Sequence, residues 1–247
     1  MKAVAIIPAR FRSSRFPGKP LVSILGAPMV VRVARIAASV LGAAQVRIAT
    51  DDERIAAAAR EHGFAPVMTS GEALTGTDRV AEAAEQLDAD VYLNIQGDEP
   101  MLDPATIERV LAARRSLGAG TVVNAMAALG PDEDPDSVHV PKVVAGERGR
   151  LVYMSRSRVP GHKDPRDAPA QYWKQVCVYA FDRAQLRAYT GLGRKSALER
   201  AEDIEILRFL ELDIPVHMVE VAGGSLAVDV PGDVDRVEAA MRARGMT

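Results

Sequence analysis

Short apolar runs alternate along the first half of the chain with longer segments in which apolar residues recur at helical spacing. The runs are typical of buried strands and lie at 3–7, 46–49, 66–69, 90–95 and 121–127. This alternation of strands and helices predicts an α/β fold, in which helices cover both faces of a mainly parallel sheet. We therefore expect three layers, with the sheet in the middle.

The predicted helices are bounded by residues that commonly begin or end a helix. Asp51 and Asp52 are expected to cap one helix and Thr77 another, and the Asp103-Pro104 pair supplies a cap and a first helical residue for a third. The four helices of this half are expected at 28–39, 51–62, 77–87 and 104–116.

The pattern changes after residue 130. Acidic and Pro-rich stretches predict loops, and two short apolar runs joined by a Gly-containing turn predict a β-hairpin at 142–154. Later elements are expected as strands at 173–181, 215–221 and 227–230 and as helices at 196–211 and 231–244. We expect one domain, 1–247, with an insertion at about 132–170 that serves as a dimer contact or a lid.

Composition narrows the function classes. The 247 residues are 48% hydrophobic and 26% charged, and the net charge of −2 predicts no nucleic-acid polymer as partner. Cys177 is the only cysteine, which excludes an intramolecular disulfide framework and Cys-cluster zinc sites. No apolar stretch reaches the length of a membrane span, and the apolar run near Met1 is too short for a signal peptide. We therefore expect a cytoplasmic protein without a membrane partner.

Cations are concentrated in the loop that follows the first strand. Arg10, Arg15 and Lys19 stand there with Ser13 and Gly18. Open α/β sheets bind ligands at the carboxyl ends of their strands, and such a set of donors suits a triphosphate. A solvated basic loop is the alternative. The loop matches neither GxxxxGK(S/T) nor GxGxxG, so a nicotinamide-dependent enzyme has little support.

The same loop resembles the signature of the 3-deoxy-manno-octulosonate (KDO) cytidylyltransferases. The likeness is carried by the segments 6–10 and 17–21 with Ser13 and Arg15. It continues through Gly76-Thr77-Asp78-Arg79, the stretch 94–100 that reads NIQGDEP, and the stretch 227–233, so that it spans nearly the whole chain. The resemblance implies a Rossmann-like nucleotidyltransferase domain that forms a homodimer, and a reaction of CTP with a small acid that releases pyrophosphate.

Two carboxylates are implied as a magnesium site. Asp98 follows the fourth strand and Asp229 follows the predicted strand at 227–230, and carboxylate oxygens are ligands that Mg²⁺ prefers. Helix capping is the alternative for both, although Asp103 already serves the helix after Asp98.

The resemblance also implies roles for individual side chains. The implied catalytic residues are Arg10, Arg15, Lys19 and Asp98. The implied nucleotide-binding residues are Ala9, Arg10, Ser13, Lys19, Arg79 and Gln96. The implied acceptor-binding residues are Arg15, Gln96, Arg156, Gln175, Tyr179 and Glu205. For Arg79, an exposed position on the first turn of a helix is the alternative.

Several positions depart from the family where the acid is expected to bind. Gln175 and Cys177 replace a His and a Gly, Phe181 stands at the second aromatic, Ile206 replaces a Gln, and Lys163 replaces an Arg. The loss of polar groups that hydrogen-bond the substrate changes which acids a site distinguishes. Alternatives to KDO are therefore an amino-KDO analogue or a small phosphonate such as phosphonoformate, and a third alternative is a nucleotide-binding module without turnover.

Overall fold

The computed structural model describes residues 1–12 and 16–246. The strands are β1 (Ala3–Ala9), β2 (Ser23–Ile24), β3 (Ala27–Pro28), β4 (Val46–Thr50), β5 (Ala65–Met68), β6 (Val91–Ile95), β7 (Val122–Ala128), β8 (Lys142–Ala145), β9 (Leu151–Ser155), β10 (Trp173–Phe181) and β11 (Val216–Glu220). The helices are α1 (Met29–Leu41), α2 (Glu53–Glu61), α3 (Gly76–Glu85), α4 (Pro104–Leu117), α5 (Arg183–Gly191), α6 (Ala197–Glu202), α7 (Leu207–Glu211) and α8 (Asp233–Ala243). Within these described residues, none of the helices is both long and apolar enough to cross a membrane.

The central sheet has the strand order β11-β7-β10-β6-β1-β4-β5. Strands β6, β1, β4 and β5 are parallel, and so are β7 and β11. Strand β10 lies antiparallel between β6 and β7, and the predicted hairpin β8–β9 pairs with it. The expectation of a mainly parallel sheet is confirmed, and its antiparallel pairings involve β10 and the β8–β9 hairpin.

Both faces of the sheet are covered. Every residue of β1 is buried, and its side chains alternate between two apolar cores. Ile7 belongs to the core shared with α1, α2 and α4, whereas Ile6 belongs to the core shared with α3, α5 and α7. A strand buried on both faces reads as a continuous apolar run, which is why 3–7 was recognisable from the sequence.

Helix caps follow the sequence prediction at two sites and correct it at a third. The side chains of Asp52 and Asp103 accept hydrogen bonds from the second backbone amides of α2 and α4. Helix α3 is capped by Thr75, whose side chain accepts from the Asp78 amide, and not by Thr77. Thr77 is instead buried, and its hydroxyl accepts from Asn94 Nδ2 at 3.2 Å.

Three predictions for the second half were wrong or incomplete. The single helix expected at 196–211 is broken into α6 and α7, because Asp203 adopts a left-handed backbone conformation with φ 51°. Helix α5 was not predicted, although Asp182 and Gln185 form a capping box at its start. Residues 227–230 are not a strand; the Val228 amide makes a single hydrogen bond to the Asp98 carbonyl, at 3.0 Å, in place of a ladder.

Arg208 is the charged centre of the core beneath α3. Its side chain is fully buried, donates to Glu199 at 2.6 Å and to Asp78 at 2.9 Å, and lies over the Tyr189 ring at 3.7 Å from the centroid. Removing one partner of a buried ion pair leaves the other charges without compensation. This cluster therefore links α7 to α3, and its disruption lowers the free energy of unfolding.

We expect Arg208→Ala to lower the free energy of unfolding by about 3–5 kcal/mol, because two buried carboxylates lose their cation. Chemical denaturation measures the change. Arg187→Ala is the control, since Arg187 pairs with Glu85 at the surface and should leave stability near that of the unmodified chain. Equal stability of the two variants would contradict the assignment.

Candidate active site

The Lys19 ammonium joins two carboxylates from distant parts of the chain. Lys19 Nζ lies 3.0 Å from Asp98 Oδ2 and 3.7 Å from Asp229 Oδ1, and it donates to the Val228 carbonyl at 3.0 Å. The side chain of Lys19 is 18% exposed, that of Asp98 30% and that of Asp229 48%. The predicted convergence of the loop lysine with both aspartates is present in the structure.

Two glycines allow this convergence. Gly18 has φ +72°, and a Cβ there would lie 3.2 Å from the Phe11 ring, so any other residue at this turn into Lys19 would be strained. Gly97 packs against the end of β1, where a Cβ would lie 3.2 Å from Ile7 Cγ2 and 3.4 Å from the Pro8 carbonyl. The loop that carries Asp98 therefore lies directly on the strand that precedes the basic loop.

The carboxylate pair fits a magnesium ion whose other ligands come from a substrate and from water. Asp98 and Asp229 present hard oxygen donors that are partly open to solvent, and Mg²⁺ is commonly held by one or two carboxylates together with substrate phosphates and water. Among residues 1–12 and 16–246 there is no group of three or more His, Cys, Asp or Glu side chains arranged for a metal. The protein would thus supply two ligands and leave the remaining positions to substrate and solvent.

The predicted nucleotide-binding cations differ in their surroundings. Arg10 is exposed directly after the buried Ala9 at the carboxyl end of β1. Arg79 is only 3% exposed, so its assignment as a surface residue is excluded. Its guanidinium contacts the Thr69 hydroxyl and lies 3.3 Å from Asp51 Oδ1. Burial lowers the pKa of Arg79 and the Asp51 charge opposes that shift. Ser13 and Arg15 lie outside the described residues.

A cleft of about 880 Å³ opens beside Asp98 and Asp229. Most of the predicted acceptor-binding residues line it: Gln96, Arg156, Gln175, Tyr179 and Glu205. The structure therefore gathers, on one side of the carboxylates, side chains that come from the loop after β6, from the end of β9, from β10 and from the turn before α7.

Several of these side chains are engaged by the protein itself. Glu205 accepts hydrogen bonds from the Gly76 and Thr77 amides at 3.1 and 2.8 Å, and so caps α3. Burial raises the pKa of Glu205, while these hydrogen bonds oppose the rise. Arg156 donates to the carbonyls of Val138, Glu202 and Asp203. The polar groups of both residues are therefore occupied by protein contacts, and the two residues form part of the cleft wall.

Lys174, Glu133 and Glu99 also line the cleft and were not predicted. Lys174 pairs with Glu133, and Glu99 accepts from the Cys177 amide at 3.3 Å. Burial, followed by the charge of Asp98, raises the pKa of Glu99. Glu99 stands next to Asp98 in the NIQGDEP stretch, which was a usable signal. No comparable signal marked Lys174.

Two of the positions that depart from the family pattern, Gln175 and Cys177, line the cleft, whereas Ile206 is not among its lining residues and is 1% exposed. Tyr179, which also lines the cleft, is 4% exposed. Burial raises the pKa of the Cys177 thiol and that of the Tyr179 hydroxyl well above their usual values. Both groups are therefore neutral near pH 7, and Cys177 has no thiolate character that would make it a nucleophile.

Comparison with protein families and curated proteins gives a consistent result. The family described as cytidylyltransferase matches residues 4–214. A 3-deoxy-manno-octulosonate cytidylyltransferase of Myxococcus xanthus is 44% identical, over 99% of this chain and 98% of the relative. The Escherichia coli protein of that name is 41% identical, over 97% and 96%. An 8-amino-3,8-dideoxy-manno-octulosonate cytidylyltransferase of Shewanella baltica is 40% identical, over 96% and 98%.

Solved structures agree with these relatives. A CMP:2-keto-3-deoxy-manno-octonic acid synthetase in complex with CTP superimposes with a TM-score of 0.91 at 38% identity, over 99% of this chain and all of that chain. The inositol-1-phosphate CTP transferase of T. maritima has a TM-score of 0.69 at 13% identity, which indicates a shared fold alone. The chain belongs to the cytidylyltransferase family, among the 3-deoxy-manno-octulosonate cytidylyltransferases.

Proposed function

We propose that this chain transfers CMP from CTP to KDO and releases pyrophosphate. The observation that carries the proposal is the contact of Lys19 with Asp98 and Asp229 at the edge of a cleft sized for a sugar acid. The whole chain acts as one nucleotidyltransferase domain in this proposal, since the sheet formed by the described residues includes both β1 and β11. The proposal includes a cytoplasmic location, which is consistent with an intracellular nucleotide such as CTP as substrate.

The reaction is an in-line displacement at the α-phosphorus of CTP. The anomeric hydroxyl oxygen of KDO forms the new P–O bond, its proton passes to solvent, and the bond to the β-phosphate breaks so that pyrophosphate leaves. Arg10, Arg15 and Lys19 bind the triphosphate and neutralise the charge that develops on it. Ser13 and the Ala9 backbone orient the phosphates, and the charged side chain of Arg79 holds the adjacent 69–70 loop.

Magnesium is the proposed cofactor, held by Asp98 and Asp229. When bound, it would offset the charge of the phosphates and favour deprotonation of the acceptor hydroxyl. Lys19 meanwhile keeps the two carboxylates facing the same point, because its ammonium attracts both. Without that cation the two like charges would repel each other across the entrance of the cleft.

The acceptor is held on the β10 side of the cleft. Gln96 and Gln175 supply amide groups, and Tyr179 supplies a buried aromatic surface with a neutral hydroxyl. Arg156 and Glu205 keep the wall in place through their bonds to backbone groups. In this proposal the acid lies beside Asp98, within the cleft that these side chains line.

We expect Lys19→Ala and Asp98→Ala each to lower turnover by about 10²-fold or more in a folded protein, because each removes a preorganised charge from the reacting phosphates. Pyrophosphate release with CTP, magnesium and KDO is the assay. The exposed ion pair of Lys2 and Asp88 supplies matched controls, Lys2→Ala and Asp88→Ala. Near-normal turnover of Asp98→Ala would remove Asp98 from the mechanism.

An acid panel tests the substrate. We expect pyrophosphate release with KDO and CTP, and weaker release with the other nucleoside triphosphates. The panel adds the 8-amino analogue, neuraminate and small phosphonates including phosphonoformate. Turnover with a phosphonate and none with KDO would replace the proposed acceptor. Tight CTP binding without release from any acid would favour a nucleotide-binding module instead.

A homodimer through the 132–170 insertion is also proposed. Val138 and Val152 in this insertion are 58% and 61% exposed, the highest exposures among the large apolar side chains of the described residues. Light scattering should give twice the 26.5 kDa chain mass. Val152→Glu should shift the protein toward monomer, because it places a charge in an apolar contact. Leu74→Glu, at an exposed leucine outside the insertion, should leave the mass unchanged.

A further inference from the structure

Strand β10 departs from regular pairing with β7 next to the cleft. The register moves from Val176 opposite Ala125 to Tyr179 opposite Asn124, so two residues of β10 have none opposite them. Such a bulge interrupts the backbone ladder. Asn124 bridges the interruption, because its Nδ2 donates to the Val176 and Val178 carbonyls at 2.9 and 3.0 Å.

The Asn124 amide is fully buried and held in one orientation. Its Oδ1 accepts from Gln175 Nε2 at 3.0 Å, while both Nδ2 bonds go to carbonyl oxygens. Turning the amide over would set an oxygen against two carbonyl oxygens and would leave buried polar groups unpaired. The side chain therefore acts as a rigid clamp on the bulge.

Cys177 lies between the two clamped carbonyls, and its own peptide groups face the opposite neighbour. The Cys177 amide donates to Glu99 Oε1 at 3.3 Å, and the Cys177 carbonyl accepts from the Gln96 amide at 3.1 Å. These contacts hold the residues on either side of Gly97 and Asp98. The bulge thus anchors both ends of the short turn that carries the Asp98 carboxylate to Lys19.

We propose that Asn124 is a positioning residue for Asp98, acting through the Cys177 bulge. Without the two Nδ2 bonds, the carbonyls of Val176 and Val178 lose their donors and the bulge is free to change register. Cys177 then no longer offers its amide and carbonyl at the places that hold Gln96 and Glu99. This inference rests on the proposed function for its catalytic consequence, but its structural consequence is independent of any substrate.

The test compares Asn124→Ala with Val123→Ala in the full-length protein. Val123 is the preceding residue of β7 and is equally buried, so its truncation destabilises the same strand without touching the clamp. For Asn124→Ala we expect faster hydrogen exchange of the amides at 97–99. We also expect a kcat at least about tenfold lower, a higher magnesium concentration for half-maximal rate, and a KM for CTP within about twofold of the unmodified enzyme.

Val123→Ala should lower the melting temperature without these changes. The proposal is overturned if exchange at 97–99 is unchanged in Asn124→Ala, or if both variants lose activity only in proportion to their melting temperatures. Should Asn124→Ala not fold, Asn124→Ser, which keeps one donor, is compared in the same way. Failure of the proposed function is a separate outcome, since it requires that the unmodified chain release no pyrophosphate with any acid.

Discussion

A single ammonium group holds the proposed reaction site together. Lys19 follows the first strand, Asp98 follows β6 and Asp229 precedes the last helix, yet both carboxylates lie within 4 Å of one nitrogen. In a partly buried position the attraction between such charges is stronger than in water, and so is the repulsion between the carboxylates. The position of each charged group therefore depends on the other two, so that in the proposed mechanism the triphosphate meets a cation and two carboxylates already in place.

The rest of the fold supplies the short distances that this arrangement requires. Glycines at 18 and 97 remove side chains where the basic loop turns and where the Asp98 loop crosses the end of β1. Glu205 caps α3 from the turn before α7, so one carboxylate belongs both to the wall of the cleft and to the start of the helix that carries Arg79. At this edge of the sheet, backbone packing brings the loops close together, and the charged side chains meet because the loops are close.

The sequence predicted the parts of the structure that depend on local patterns. Buried strands such as β1, helix caps such as Asp103, and the residues around Asp98 follow from a few neighbouring positions. The break in the helix at Asp203 could not be predicted in this way. The contact that stabilises it, from Glu205 to α3, joins residues more than 120 apart in the sequence. The bulge at Cys177 was not predicted for the same reason, since the side chain that hydrogen-bonds the carbonyls beside it, Asn124, lies on another strand. Residues 227–230 resembled a strand but find no neighbouring ladder.

The antiparallel placement of β10 has a consequence for synthesis on the ribosome. Strands β5, β4, β1 and β6 can pair as soon as residue 95 has emerged, but β6 then has an open edge until 173–181 arrives. An unpaired edge of an apolar strand readily recruits other chains. Nascent or truncated forms that end before residue 181 would expose that edge, so the long segment between β6 and β10 delays protection of the parallel half of the sheet.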